Sequence, residues 1–176
     1  SYPTLAYFGG FTADRFLIEL IDSAQHAPVN LLIGGYGNAQ VEERLRTAEK
    51  QDNVRYFGRM SMNDGLQMSF NADAIYAMYC KTNANHVFAA PNKYYEAMLL
   101  GKPFITTKGT ILEDKVIKND MGYVIEESFD ELLALERELT KAEMKRKGEN
   151  AHRLWDTCYK DYIARFFKDV YASIIE

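Results

Sequence analysis

The regular alternation of short apolar runs with helical stretches constrains this chain more than any other feature of its 176 residues. Residues 5–8 read as a strand, and residues 13–26 follow as a helix with Phe16, Leu17, Leu20, Ile21 and Ala24 at helical spacing. Residues 29–34 form a second strand, ended by the turn Gly34-Gly35-Tyr36-Gly37, and residues 40–50 a polar helix. Residues 54–57 are a third strand. Ser61 caps the next helix, with Asp64 three residues on in the manner of a capping box. Residues 74–78 are a fourth strand and 81–90 a loop, and the helix at 92–100 is stopped by Gly101. Residues 103–106, 111–118 and 122–125 complete the pattern as strand, helix and strand. No strand signal follows Asp130, and residues 127–176 are expected to form a helical tail.

Strands separated by helices need crossover connections, which favour parallel pairing with both faces of the sheet covered. These strands are short and continuously apolar rather than alternating, as burial on both faces requires. The expected fold is therefore α/β: a doubly wound, Rossmann-like parallel sheet of about six strands with helices on both faces. Residues 1–176 are read as a single domain, a length that suffices for a substantial core. Ligands in such sheets bind beyond the carboxyl ends of the strands, at the topological switch point. The loops at 9–15, 34–38, 58–62, 79–93 and 107–112 are the places to search.

A net charge of −4 argues against nucleic acid as the main partner. No apolar run approaches the roughly 20 residues of a membrane-spanning helix, and no signal-peptide pattern is present. Cys80 and Cys158 fit no CxxC pattern and are expected to be free, buried thiols of a reducing cytoplasm.

The densest cluster is the segment from Ala90 to Pro103. Pro91 and Asn92 start a helix whose free backbone N–H groups, together with the positive end of its dipole, suit a phosphate. Lys93 adds a cation to the first turn, where it is unfavourable for the helix itself and easier to understand beside an anion. Glu96 lies on the same face, and its two acceptor oxygens match a vicinal diol such as the 2′ and 3′ hydroxyls of a ribose. The plainer alternative is an exposed i, i+3 ion pair of about 0.2–0.5 kcal/mol.

This segment resembles the signature of the GT-B glycosyltransferases of family 4, glycosyl transferases group 1. Glu96-Ala97-Met98-Leu99-Leu100-Gly101-Lys102-Pro103-Phe104-Ile105 is similar to the second half of the family's E-x7-E and "EAMAxGKPVI" stretch. The likeness extends along nearly the whole chain. Leu5–Gly9, Leu31–Gly37, Asn53–Met60, Asn71–Ala74 and Gly122–Ile125 resemble successive family segments in the same order. The first Glu of E-x7-E falls at Phe88 and its following Gly at Ala89, so that half is absent. Pro91-Asn92-Lys93 and Glu96 resemble the variant "PxKxxE".

The resemblance implies a site for a nucleotide-diphospho-sugar donor, with Glu96 on the ribose and Lys93, Asn92, Gly9 and Gly10 around it. The family places an Arg near Gly10, where it is lost, and a Lys near Arg15, which becomes the candidate for the diphosphate charge. Arg59, Met60, Gly35 and Gly37 fall in the region that reads the base, and His86, Ala89 and Ala90 near the sugar or phosphate. A lone surface histidine is the plainer reading of His86, and a solvated helix start that of Arg15. The chain has no D-x-D motif, and no cofactor or metal is expected. The leaving group's charge then falls to Arg15, Lys93 and the helix start.

The resemblance further implies retention at the anomeric carbon and a role in polysaccharide or glycoconjugate synthesis. The acceptor, a glycan or lipid-linked glycan, would sit on a separate N-terminal domain. The chain is accordingly expected to be one half of a two-domain, cytoplasmic enzyme, peripheral at the inner membrane face when complete, and inactive alone. The alternatives are a sugar-nucleotide 2-epimerase-like domain and a non-catalytic nucleotide-sugar-binding module. An NAD site is rejected because the first βα turn reads Gly9-Gly10-Phe11-Thr12 without the third glycine. A phospho-receiver is rejected because the third strand ends Tyr56-Phe57-Gly58, with no Asp. Trp155, Tyr159, Tyr162, Phe166, Val170 and Ile174 form one apolar stripe, and 141–147 is expected to be a solvated helix face.

Overall fold

Six strands form one sheet among the described residues, which in this computed structural model are 2–166 and 168. They are β1 (Thr4–Gly10), β2 (Asn30–Tyr36), β3 (Val54–Tyr56), β4 (Ala74–Tyr76), β5 (Phe104–Thr107) and β6 (Gly122–Ile125). All pairs are parallel, in the order β3-β2-β1-β4-β5-β6. The chain thus moves outward from β1 to β3, returns to β4 beside β1, and moves outward again. β1 and β4 flank the switch point, and the crevice lies beyond their carboxyl ends.

The helices are α1 (Leu17–Ala24), α2 (Ala39–Ala48), α3 (Met62–Asn71), the short α4 (Ala84–Val87), α5 (Asn92–Leu100), α6 (Ile111–Lys118), α7 (Phe129–Glu138), α8 (Lys141–Leu154) and α9 (Tyr162–Phe166). One side of the sheet packs Leu5, Tyr7, Ile33 and Tyr76 against Leu17, Leu20 and Ile21 of α1 and Leu132 of α7. The other packs Ile75 and Phe104 against Tyr94, Ala97 and Met98 of α5 and Ala151 of α8. Each Leu, Ile, Phe or Met side chain so removed from water contributes about 1.5–3 kcal/mol, so the sheet stays a fixed platform for its loops.

Local signals explain the boundaries. Asn38 accepts from the backbone of Gln40 and Val41 to start α2, and the Ser61 hydroxyl accepts from Asp64 N–H to start α3. Gly101 takes the left-handed conformation, φ 63°, that ends α5. The single helix expected at 13–26 is instead a 3-10 turn at Ala13–Arg15, a left-handed Phe16 (φ 54°), and then α1. Tyr76 Oη donates to the Phe16 carbonyl at 2.8 Å, which ties down that break.

The loop expected at 81–90 contains the turn of α4, capped by Asn83. Helix α8 is not the solvated face expected at 141–147: Met144 is fully buried, and Lys147 is mostly covered and donates to Asp120 at 2.6 Å. Cys80 is buried as expected, but Cys158 is exposed, since it lies in a π turn at Trp155–Tyr159 beyond the core. Trp155 and Tyr159 of the apolar stripe pack on the α5 side, whereas Tyr162 is exposed. Val170, Ile174 and the Phe166 side chain lie outside the described residues.

Candidate functional site

Parallel pairing sets Phe8, Gly9 and Gly10 of β1 beside Gly34, Gly35 and Tyr36 of β2 at the crevice. Beyond them opens a cavity of about 250 Å³, bounded by these strand ends, by Met60 and Gly65 at the start of α3, and by Glu96 of α5. The glycines are a steric requirement. A Cβ on Gly34 would lie 2.7 Å from the Phe8 ring and 2.9 Å from Met60 Sδ. Gly35 has φ 151°, and a Cβ there would lie 1.8 Å from the Gly9 carbonyl oxygen.

Glu96 faces this cavity one turn into α5. Its carboxylate lies 3.6 Å from Lys93 Nζ, and both side chains are largely covered, at 23% and 16% exposure. The pair is therefore not the solvent-facing contact that spacing alone allows. Lys93 also donates to the Phe8 carbonyl and lies 5.4 Å from the centre of the Tyr7 ring. Burial holds the Lys93 ammonium below the usual lysine range, while Glu96 opposes that shift. The start of α5 carries no side-chain cap, so its first N–H groups are left to other acceptors.

Arg15 also lies near Tyr7. Its guanidinium stacks on Tyr79, 4.5 Å from the ring centre, and Nη1 lies 3.2 Å from His86 Nε2. The Tyr7 hydroxyl near it donates to Gly10 O at 2.6 Å. Burial raises the Tyr7 hydroxyl to about 12, against the opposing effect of Arg15. No carboxylate lies within ion-pairing distance of Arg15 among the described residues. A guanidinium without a paired carboxylate keeps its charge available to an anion.

The other predicted residues fall into three sets. Gly9, Gly10, Gly35 and Met60 join Glu96 around the cavity. A side chain at Gly10 would meet nothing within 4 Å, so the space where the resemblance expects an arginine is open. Arg59 lies at the rim, stacked 4.4 Å over the exposed Tyr36 ring. Asn92 lies on the far side of Glu96, in a second cavity of about 240 Å³ beside Trp155. Gly37 is engaged elsewhere, since its N–H donates to Glu42 at 3.2 Å. Ala89 and Ala90 lie in the turn between α4 and α5, after an exposed Phe88. His86 is buried rather than a surface histidine, at 6% exposure.

Sequence reasoning missed Tyr7, Tyr79 and Gly65. The signal for the first two was a tyrosine in an otherwise apolar run; for Gly65 it was a glycine inside a helix, where its Cβ position lies 3.1 Å from Phe8.

The model of the glycosyl transferases group 1 family matches residues 2–140. The chain belongs to that family. The sequence matches no curated protein. Among solved structures, sucrose-phosphate synthase from Thermosynechococcus elongatus is similar at a TM-score of 0.75 and 20% identity, covering 99% of this chain and 46% of that one. Anabaena HepE in complex with UDP is similar at a TM-score of 0.76 and 14% identity, covering 99% and 49%. WaaG, a glycosyltransferase involved in lipopolysaccharide biosynthesis, is similar at 0.70 and 18%, covering 90% and 44%. At these identities the structures speak for the fold, and this group 1 chain spans about half the length of each.

Proposed function

We propose that this group 1 domain binds a nucleotide-diphospho-sugar and serves as the donor half of a retaining, metal-independent glycosyltransferase. The observation that carries the reading is Glu96, a carboxylate turned into the switch-point cavity and steadied by Lys93. The base enters the cavity against Met60 and the β2 glycines, and the ribose hydroxyls donate to Glu96. The diphosphate lies at the mouth, between the start of α5, Gly9-Gly10 and Arg15. Breaking the sugar C1–oxygen bond leaves the electron pair on the diphosphate. Arg15, Lys93 and the α5 dipole stabilise that charge without a metal.

Uracil is the preferred base on this reading, supported by HepE, which was solved with UDP and with UDP-glucose. Retention, an acceptor glycan or lipid-linked glycan on a preceding domain, a role in polysaccharide or glycoconjugate synthesis, and a cytoplasmic face near the membrane belong to the same proposal. Among the described residues no helix is long and apolar enough to cross a membrane. A second reading, a nucleotide-sugar sensor without turnover, is favoured by Phe88 and Gly10 at the two positions where the family carries charge.

A thermal-shift panel of UDP-, GDP-, ADP- and CMP-linked sugars tests binding. A ligand at 1,000 times its Kd stabilises by about 4 kcal/mol. The UDP-sugar is expected to stabilise the wild-type chain most, and Glu96→Ala and Glu96→Gln to lose the effect while remaining folded. Stabilisation unchanged by either substitution would overturn the assignment of Glu96. Turnover by the full-length protein, with and without Glu96→Gln, separates transferase from sensor.

A further inference from the structure

His86 stands 71 residues from Arg15 in sequence and next to it in space. Its Nδ1 lies 3.1 Å from the Cys80 carbonyl, which only accepts, so Nδ1 carries a hydrogen. Its Nε2 lies 3.2 Å from Arg15 Nη1 and 3.3 Å from Asn83 Nδ2, two groups that only donate. Toward these two donors Nε2 is an acceptor, with the Asp14 carboxylate a further neighbour at 3.4 Å. With both nitrogens engaged inside the protein and the ring buried, His86 has no free atom for a sugar or phosphate.

The surroundings fix the ring in that role. It stands edge-on to Tyr79, centroids 5.4 Å apart, and Tyr79 is the ring on which Arg15 stacks. Asn83 caps α4, the turn that carries His86, and donates to Asp14 at 3.0 Å. Cys80 N–H donates to the Asp14 carbonyl at 3.0 Å, binding the β4–α4 loop to the turn that carries Arg15. Asp14 Oδ2 lies 3.4 Å from His86 Nε2 but makes no ion pair with Arg15. The arginine is thus aimed by the His86 ring nitrogen and the Tyr79 face, neither of which is a carboxylate.

We propose that His86 is a positioning residue, whose Nε2 holds the Arg15 guanidinium toward the diphosphate of the donor. The inference rests on the donor-site reading above, and the test separates the two. UDP and uridine binding are measured by calorimetry at pH 8 on the wild-type chain, Arg15→Ala, His86→Leu, His86→Gln, His86→Asn and the double variant Arg15→Ala/His86→Leu. Circular dichroism checks each fold.

His86→Leu and Arg15→Ala are each expected to weaken UDP by about tenfold, the loss of one good charge-assisted contact. The double variant should be no weaker than Arg15→Ala alone. Uridine, with no phosphate, should bind all variants alike. His86→Gln, whose amide oxygen reaches the Nε2 position, should recover UDP binding, and His86→Asn, which reaches only Nδ1, should not.

An equal loss for uridine would mean that His86 merely shapes the fold. A further loss in the double variant would mean that it acts without Arg15. Either outcome overturns the proposal, as would a failure of His86→Gln to recover binding. Failure of the wild type to bind UDP or uridine would instead sink the donor-site reading.

Discussion

Glu136 on α7 is fully buried, and neither of its carboxyl oxygens finds a hydrogen-bond donor. The nearby Ser23 hydroxyl, which gives its hydrogen to the Leu20 carbonyl at 3.1 Å, only partly opposes the effect of burial on this carboxyl. Burial accordingly raises the Glu136 carboxyl from 4.5 to about 8. A folded-state value above the unfolded one means the native chain holds the extra proton between these limits. Stability from this group is full below pH 4.5 and is lost as pH rises through about 8. The midpoint of thermal unfolding should therefore fall between pH 6 and 9 in the wild type, and fall far less in Glu136→Gln. Glu136→Leu should be the more stable chain at pH 9, by about 1–3 kcal/mol. Parallel pH profiles for wild type and Glu136→Gln would refute this account. Nothing in the sequence distinguished this glutamate from the acidic residues around it, because its burial is decided by how α7 meets α1.

At the scale of elements, the sequence announced what depends on neighbours in the chain and hid what depends on neighbours in space. The bounds of α5, α6 and β6 were legible because Gly101 and the apolar runs are local signals. The break at Phe16 was not, since it is held from outside by Tyr76. Helix α8 shows the same limit. Its lysines suggested a solvated face, yet Met144, Gly148 and Ala151 are buried, the last two against α5 and its end. A Cβ on Gly148 would lie 2.2 Å from the Gly101 carbonyl oxygen, so the two helices meet backbone to backbone. Gly148→Ala should therefore push α8 from α5 and cost about 1–3 kcal/mol in denaturant unfolding, despite alanine's better helix propensity. Gly10→Ala, with nothing within 4 Å of its Cβ, is the matched control and should change stability little. An unchanged denaturation midpoint for Gly148→Ala would show that the contact between the helices is looser than described.

Taken as a whole, the chain carries a net charge of −4, yet its crevice brings Lys93 and Arg15 together beside Tyr7. An acidic molecule with a local cationic mouth repels a polyanion at long range and admits a small one at short range. Glu96 was legible as a candidate because its motif is contiguous, and it lines the cavity. The Arg15 half was less so, because it is assembled from Tyr7, Tyr79 and His86, which three separate loops and strands bring together. The two halves should respond differently to salt. If the donor binds as proposed, the contacts of its ribose with Glu96 and of its base with the apolar cavity are insensitive to ionic strength, whereas its diphosphate against partly exposed cations is screened over about 8–10 Å at physiological salt. Raising potassium chloride from about 0.05 M to 0.5 M, where the screening length shortens to roughly 4 Å, should weaken UDP binding several-fold and leave uridine unchanged. In Arg15→Ala the UDP dependence should flatten toward that of uridine. If uridine and UDP weaken in parallel, the phosphates do not rest on these cations, and the charge at the mouth serves the fold rather than the ligand.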